Sequence, residues 1–298
     1  MEKFIIVTDS CSDLDKSARE KYQIEYLPMH FSENGKDYDA DLDWKEISFS
    51  DYYNKMRNGT RFITAQVNVA QYREAFEKYA KEGYGILSIS CSSKLSASVR
   101  ASEQAREEVL NSYPDAKIYC IDSLISCAGL GMICIHASKL RSEGKSLEEV
   151  VAWVEENKLN FHQEATVEKL TWLKQAGRVS AASAFFGGLL NVKPIIISDA
   201  IGQNFAVEKV KGRKVSFTRL VERVKEAYDG TKYPEIVVAH GDVEEEAKEI
   251  KEMLVSALGV DESLVQIDRI GPIIGASTGP GVIGIYYYGS KVTENAEA

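Results

Sequence analysis

Short apolar runs alternate along this chain with stretches in which apolar residues return every three or four positions. The runs Phe4–Val7, Ile24–Met29, Gly85–Ser90 and Lys117–Ile121 predict strands. Between them, Asp13 can cap a helix through about Tyr22, and Asp51–Arg57 reads as a short helix. Asn34-Gly35 is a strong turn signal. Asn68 can cap a helix over Val69–Lys81, where Tyr72, Phe76 and Tyr79 fall near helical spacing. Leu95–Leu110 and Ala128–Leu140 predict further helices, and Ser146 with Glu149 three residues on is a capping-box pattern. Strand, helix, strand, helix in this order predicts a mostly parallel sheet covered on both faces.

The polar stretch Asn157–His162 is the expected boundary between two α/β domains, 1–158 and 159–298. Beyond it, Val167–Gln175 and Ala181–Leu190 read as helices. Pro194–Ser198 reads as a strand, Gly202 as a turn, and Phe205–Val210 as an antiparallel partner strand. Phe217–Tyr228, Ile236–His240, Val243–Leu258 and Leu264–Ile267 continue as helix, strand, helix, strand, and Val282–Tyr288 closes the chain as a strand. The expected class is therefore α/β: an N-terminal domain with a mostly parallel sheet flanked by helices, and a C-terminal domain with a mixed sheet.

Composition narrows the function. The net charge of −9 and pI near 5.2 repel phosphate backbones, and no dense Lys/Arg patch offsets them. Nucleic acid and anionic membrane surfaces are therefore not expected partners. No run of about 18 apolar residues occurs, so no integral membrane segment is expected. The run after Lys3 is too short for a signal-peptide core, so the expected location is the cytoplasm. The five cysteines, Cys11, Cys91, Cys120, Cys127 and Cys134, are odd in number and form no CxxC pair. They read as free thiols rather than as disulfides or a metal site, and no cofactor is expected.

Most motifs fail on context. Gly279–Gly284 matches GxGxxG, but a strand follows it where a dinucleotide site needs a helix. Gly275–Gly279 matches GxSxG, but the last histidine, His240, precedes Ser277, whereas α/β-hydrolases place it after the serine. Asp37, Asp39, Asp41 and Asp43 lack the glycine and glutamate of a calcium loop. No phosphate loop is present. What remains is a set of hydroxyl-rich loops at strand ends. Thr8-Asp9-Ser10 follows the first strand, Thr64 lies before a helix, Ser93, Ser96 and Ser98 sit between strand and helix, and Ser277-Thr278 precede Gly-Pro-Gly. Plain helix capping explains any one of them. Together, at strand ends beside helix N-termini, they suit an anion.

These loops resemble one family. TDSCSDL from Thr8, TAQ from Thr64, SSKLSAS from Ser92, the Asp122-Ser123 pair, LTWLKQAGRVS from Leu170, LLNVKP from Leu189 and IGASTGPGVIGIYYYG from Ile274 are similar, in the same order, to the DegV family. The resemblance implies a two-domain α/β protein that encloses one long-chain fatty acid (C14–C18) and is not itself an enzyme. It also implies a partner, the ATP-dependent catalytic subunit of a fatty acid kinase, to which the bound acid is presented. Thr64 and Ser96 match the residues that contact the carboxylate. Ser277 stands where the family often has histidine. Thr8, Asp9, Ser10, Ser93, Ser98 and Thr278 fall on the supporting loops, and Arg213 falls near a basic stretch thought to face the kinase. The apolar run with Phe185, Phe186, Leu189 and Ile195 can line a tail tunnel or serve equally as ordinary core. Two other readings stay open: a hydrolase or phosphotransfer enzyme using Ser96 or Ser277, and a regulatory module for a small anion.

Overall fold

The computed structural model describes residues 3–180 and 191–295. The expected helix over Ala181–Leu190, with Phe185, Phe186 and Leu189, lies outside the described residues. Among those described, the strands form three sheets. The first is parallel, in the order β2 (Ile24–Leu27), β1 (Phe4–Asp9), β6 (Gly85–Ser90), β7 (Ile118–Asp122). The second is a small antiparallel sheet of β4 (Lys36–Asp39), β3 (His30–Glu33) and β5 (Ile63–Ala65). The third is mixed, in the order β13 (Val265–Arg269), β12 (Ile236–His240), β14 (Ile283–Tyr288), β8 (Phe161–Thr166), β10 (Val192–Ser198), β11 (Asn204–Lys211), β9 (Val179–Ser180). This is the α/β architecture expected, with a parallel sheet before the midpoint and a mixed sheet after it.

Local chemistry explains the elements that match the sequence. Asn34 and Gly35 both take positive φ, +51° and +82°, the conformation a tight hairpin between β3 and β4 demands. Helix α3 (Val69–Lys81) starts in a complete capping box: Asn68 accepts from Gln71 N–H while the Gln71 side chain accepts from Asn68 N–H. Helix α6 (Leu147–Asn157) does the same with Ser146 and Glu149. Helix α4 (Ser98–Ser112) follows β6, and α5 (Cys127–Ser142) follows β7. The fully buried strand Gly85–Ser90 packs beneath α3 and α4.

Three expectations need correction. Asp13 does not cap the first helix, α1 (Lys16–Tyr22). Asp15 does, accepting from Ala18 N–H at 2.7 Å, while Asp13 takes φ +50° with its carboxyl oxygens buried. The polar stretch Asn157–His162 hides the start of a strand, β8, that the sequence did not predict. This strand is buried at all six positions and central in the mixed sheet. Three of its polar side chains reach distant partners: the Gln163 amide nitrogen donates to Asn204 at 3.0 Å, Glu164 accepts from Arg223 at 2.7 Å, and His162 meets the Ser290 carbonyl. Finally, the segment before Gly-Pro-Gly is a helix, α10 (Pro272–Thr278), opened by proline at its first position.

Hydrophobic packing joins the sheets. One core runs from Ile6 and Leu87 on the first sheet through Tyr52, Tyr53 and Phe31 to Ala165 and Tyr286 on the third. Tyr52 and Tyr53 donate to the carbonyls of Pro272 and Ile270, at 2.7 and 2.9 Å, which fixes α10 against the first half. A second core, with Phe217, Ile250 and Ile283, lies on the opposite face of the mixed sheet.

Candidate functional site

The carboxyl ends of β1, β6 and β7 carry the loops that build the site. Two aspartates hold these loops together. Asp9 accepts from the amides of Cys11 and Cys91, both at 2.9 Å, and so ties the β1 loop to the β6 loop. Burial still pushes its carboxyl up to about 6. Asp122 accepts from the amides of Ser93 and Leu124, and ties the β6 loop to the β7 loop. Ser10 bridges Ala40 and Met29, donating to one carbonyl and accepting from one amide, each at 2.9 Å. Thr8 is fully buried. Thr8, Asp9, Ser10 and Ser98 are therefore scaffold behind the wall rather than wall.

In front of this scaffold lies a cavity of about 580 Å³, within the range of small-molecule sites. Thr64 from β5, Ser93 and Ser96 from the β6–α4 loop, and Ser277 and Thr278 from α10 all line it. Ser96 shares a hydrogen bond with Ser98 at 2.9 Å and accepts from the Ser98 amide. Thr278 donates back to the Ile274 carbonyl at 2.7 Å. The hydroxyls of Thr64 and Ser277 carry no hydrogen bond to other described residues. Much of the remaining wall is apolar, from Leu95, Ile270, Ile273, Val167, Leu173, Val179, Ile196 and Val282 among others.

The charge of the lining was not read from the sequence. Lys94 and Arg178 line the cavity, and no described carboxylate or histidine does. Lys94 lies inside the SSKLSAS motif and Arg178 inside LTWLKQAGRVS, so their places in those motifs were the available signal. Cations without acids favour an anionic ligand. Two thiols, Cys11 and Cys91, also line it. Hydrogen bonding with Cys91, together with burial, holds the Cys11 thiol well above its usual range, which favours the neutral thiol.

One predicted lining residue, Ile195, lies elsewhere, and Arg213, expected to face a kinase, has a structural partner set of its own. Ile195 packs in the second core and its neighbour Ile196 faces the cavity, because successive strand residues point to opposite faces. Arg213 does not line the cavity. Its guanidinium bonds Glu246 and the Gly281 carbonyl, both at 2.6 Å, and so braces the Gly-Pro-Gly turn. Ser277 sits in the last turn of α10, not on the sharp strand-to-helix turn of a nucleophile elbow.

Known proteins resemble this chain over nearly its whole length. A family model described as "Uncharacterised protein, DegV family" matches residues 3–290. A DegV domain-containing protein of Clostridium perfringens is 37% identical over 97% of this chain and 98% of its own. Among solved structures, a DegV family protein from Thermus thermophilus, described by its fatty acid binding, is 28% identical with a TM-score of 0.84, covering 96% and 99% of the two chains. DegV from Bacillus subtilis, described as a fatty acid binding protein, is 28% identical with a TM-score of 0.81, covering 97% and 100%. A stearic acid-binding protein from Eubacterium ventriosum is 25% identical with a TM-score of 0.85, covering 95% and 97%. The motifs, the order of the sheets and these matches agree: the chain belongs to the DegV family.

Proposed function

We propose that this protein binds one long-chain fatty acid, C14–C18, in the cavity between its sheets and presents it to a separate ATP-dependent kinase. The observation that carries the reading is the make-up of the wall: hydroxyls at Thr64 and Ser277 that have no partner among the described residues, cations at Lys94 and Arg178, and apolar residues around them. Thr64, Ser96 and Ser277 hold the carboxylate, with Ser93 and Thr278 beside them. Val167, Leu173, Ile196 and Val282 cover the tail. A C16 tail has about fourteen methylenes, so its burial is worth roughly 11 kcal/mol before entropy costs. One hydrogen bond to a charged group adds about 1.5–3 kcal/mol. The tail therefore sets affinity and the hydroxyls set orientation.

The solved relatives named above support the ligand class by what they bind. Presentation to a kinase rests on the sequence resemblance, as does a kinase-facing role for Arg213. In the same reading, residues 1–158 and 159–298 form two domains that close on the ligand, and the protein acts in the cytoplasm without catalysing a reaction itself. The helical setting of Ser277 and the absence of histidine from the described cavity wall disfavour hydrolysis. The many apolar residues lining the cavity disfavour a small anion.

The test is mass spectrometry of an organic extract of the denatured protein. A stoichiometric C14–C18 acid is expected. A clean extract, together with no binding of added palmitate or stearate, would overturn the reading.

A further inference from the structure

The mixed sheet contributes a polar patch to an otherwise apolar stretch of cavity wall. Gln163 on β8 and Ser126, which precedes α5, both line the cavity at only 5% and 3% exposure. Tyr286 connects them. It stands directly opposite Gln163 on β14, and its side chain meets the thiol of Cys127, the residue after Ser126. Residues opposed on antiparallel strands share a face, so the carboxamide and the phenol look into the same space. Gln163 Nε2 donates to Asn204 Oδ1 at 3.0 Å. Its carbonyl oxygen has no protein partner among the described residues. Ser126 occupies the N-cap of α5 yet makes no capping bond, and its hydroxyl is likewise unpartnered.

A plain alkyl chain laid against these groups would bury an unpaired acceptor and an unpaired hydroxyl. Buried groups left unsatisfied are costly, and a ligand that satisfies them is favoured over one that cannot. Valine or leucine would serve a purely aliphatic tunnel better, as at Val167 and Ile196 in the same cavity. We propose that the cavity is built for a hydroxylated long-chain acid, whose hydroxyl donates to Gln163 Oε1 and accepts from the Ser126 hydroxyl. This rests on the fatty-acid reading above and adds a second polar anchor, on a different wall from Thr64 and Ser277.

The test is competition. Stearic acid and a positional series of hydroxystearic acids displace a fluorescent stearate analogue from the full-length protein. At least one isomer is expected to bind about tenfold or more tighter than stearate, as one net hydrogen bond to a buried group allows. In a Gln163→Met, Ser126→Ala double variant, that isomer should weaken about tenfold while stearate tightens. Equal or weaker binding of every isomer to the parent protein would overturn the proposal while leaving fatty-acid binding intact, and this comparison needs no variant. A double variant that weakens stearate and hydroxystearate alike would also overturn it, since the pair would then be structural. Failure of stearate and all isomers to bind would instead remove the fatty-acid reading itself.

Discussion

The buried carboxyl of Asp13 makes stability depend on pH in a calculable way. Burial pushes it from 3.8 to about 7; the Cys127 thiol and the Gly271 amide act against this, and Asp268 and Asp9 add to it. A carboxyl raised in the folded state stabilises the fold below its unfolded value, and that contribution is lost as pH rises through its folded value. Taking 3.8 and about 7, the loss between about pH 5 and pH 8 is roughly 2–3 kcal/mol from this one group. Asp13→Asn keeps the shape, and asparagine tolerates the φ of +50°. Asn cannot ionise, so whatever it costs is the same at both pH values. Urea midpoints and slopes for parent and variant at about pH 5 and pH 8 read the difference. Asp9 and Asp268, raised to about 6, and Glu164, raised to about 7, keep some slope in both proteins, so only the change in slope counts. The parent should lose roughly 2–3 kcal/mol more than the variant over this range. Equal losses would refute the reasoning, because they would mean that Asp13 carries no folding-linked proton.

Three further outcomes follow from the site. Shortening the acid by four methylenes removes about 3 kcal/mol of burial, so affinity should fall on the order of a hundredfold by calorimetry; a flat response would show that the tail is not enclosed. Thr64→Val keeps the strand and removes one donor to the carboxylate, so binding should weaken about tenfold or more while the dependence on chain length stays the same. Gly279 has φ +79°, and a Cβ there would lie 2.3 to 2.6 Å from the Trp172 indole. Gly279→Ala should therefore destabilise the fold by more than about 1 kcal/mol, read as a lower melting temperature, and an unchanged melt would show that Trp172 yields freely.

The sequence by itself determined the features whose physics is local. The capping boxes at Asn68 and Ser146, the Asn34-Gly35 hairpin and the apolar run Gly85–Ser90 need only near neighbours, and each was legible. The family motifs likewise indicated which loops to examine. Tertiary structure alone decided what depended on distant partners. β8 reads as a polar boundary stretch, and only Arg223 and Asn204, far along the chain, give Glu164 and Gln163 hydrogen-bond partners in a buried strand. Asp13 reads as a helix cap two residues too early, because nothing local shows that its carboxyl is buried against Gly271. Of two adjacent isoleucines, the pleat turned Ile196 to the cavity and Ile195 to the second core. Among the hydroxyls at the strand ends, convergence of the loops left Thr64, Ser93, Ser96, Ser277 and Thr278 on the cavity wall and put Thr8, Asp9, Ser10 and Ser98 behind it. A hydroxyl's type is written in the sequence, but whether it meets a ligand or a neighbouring amide depends on which chain segments fold against it.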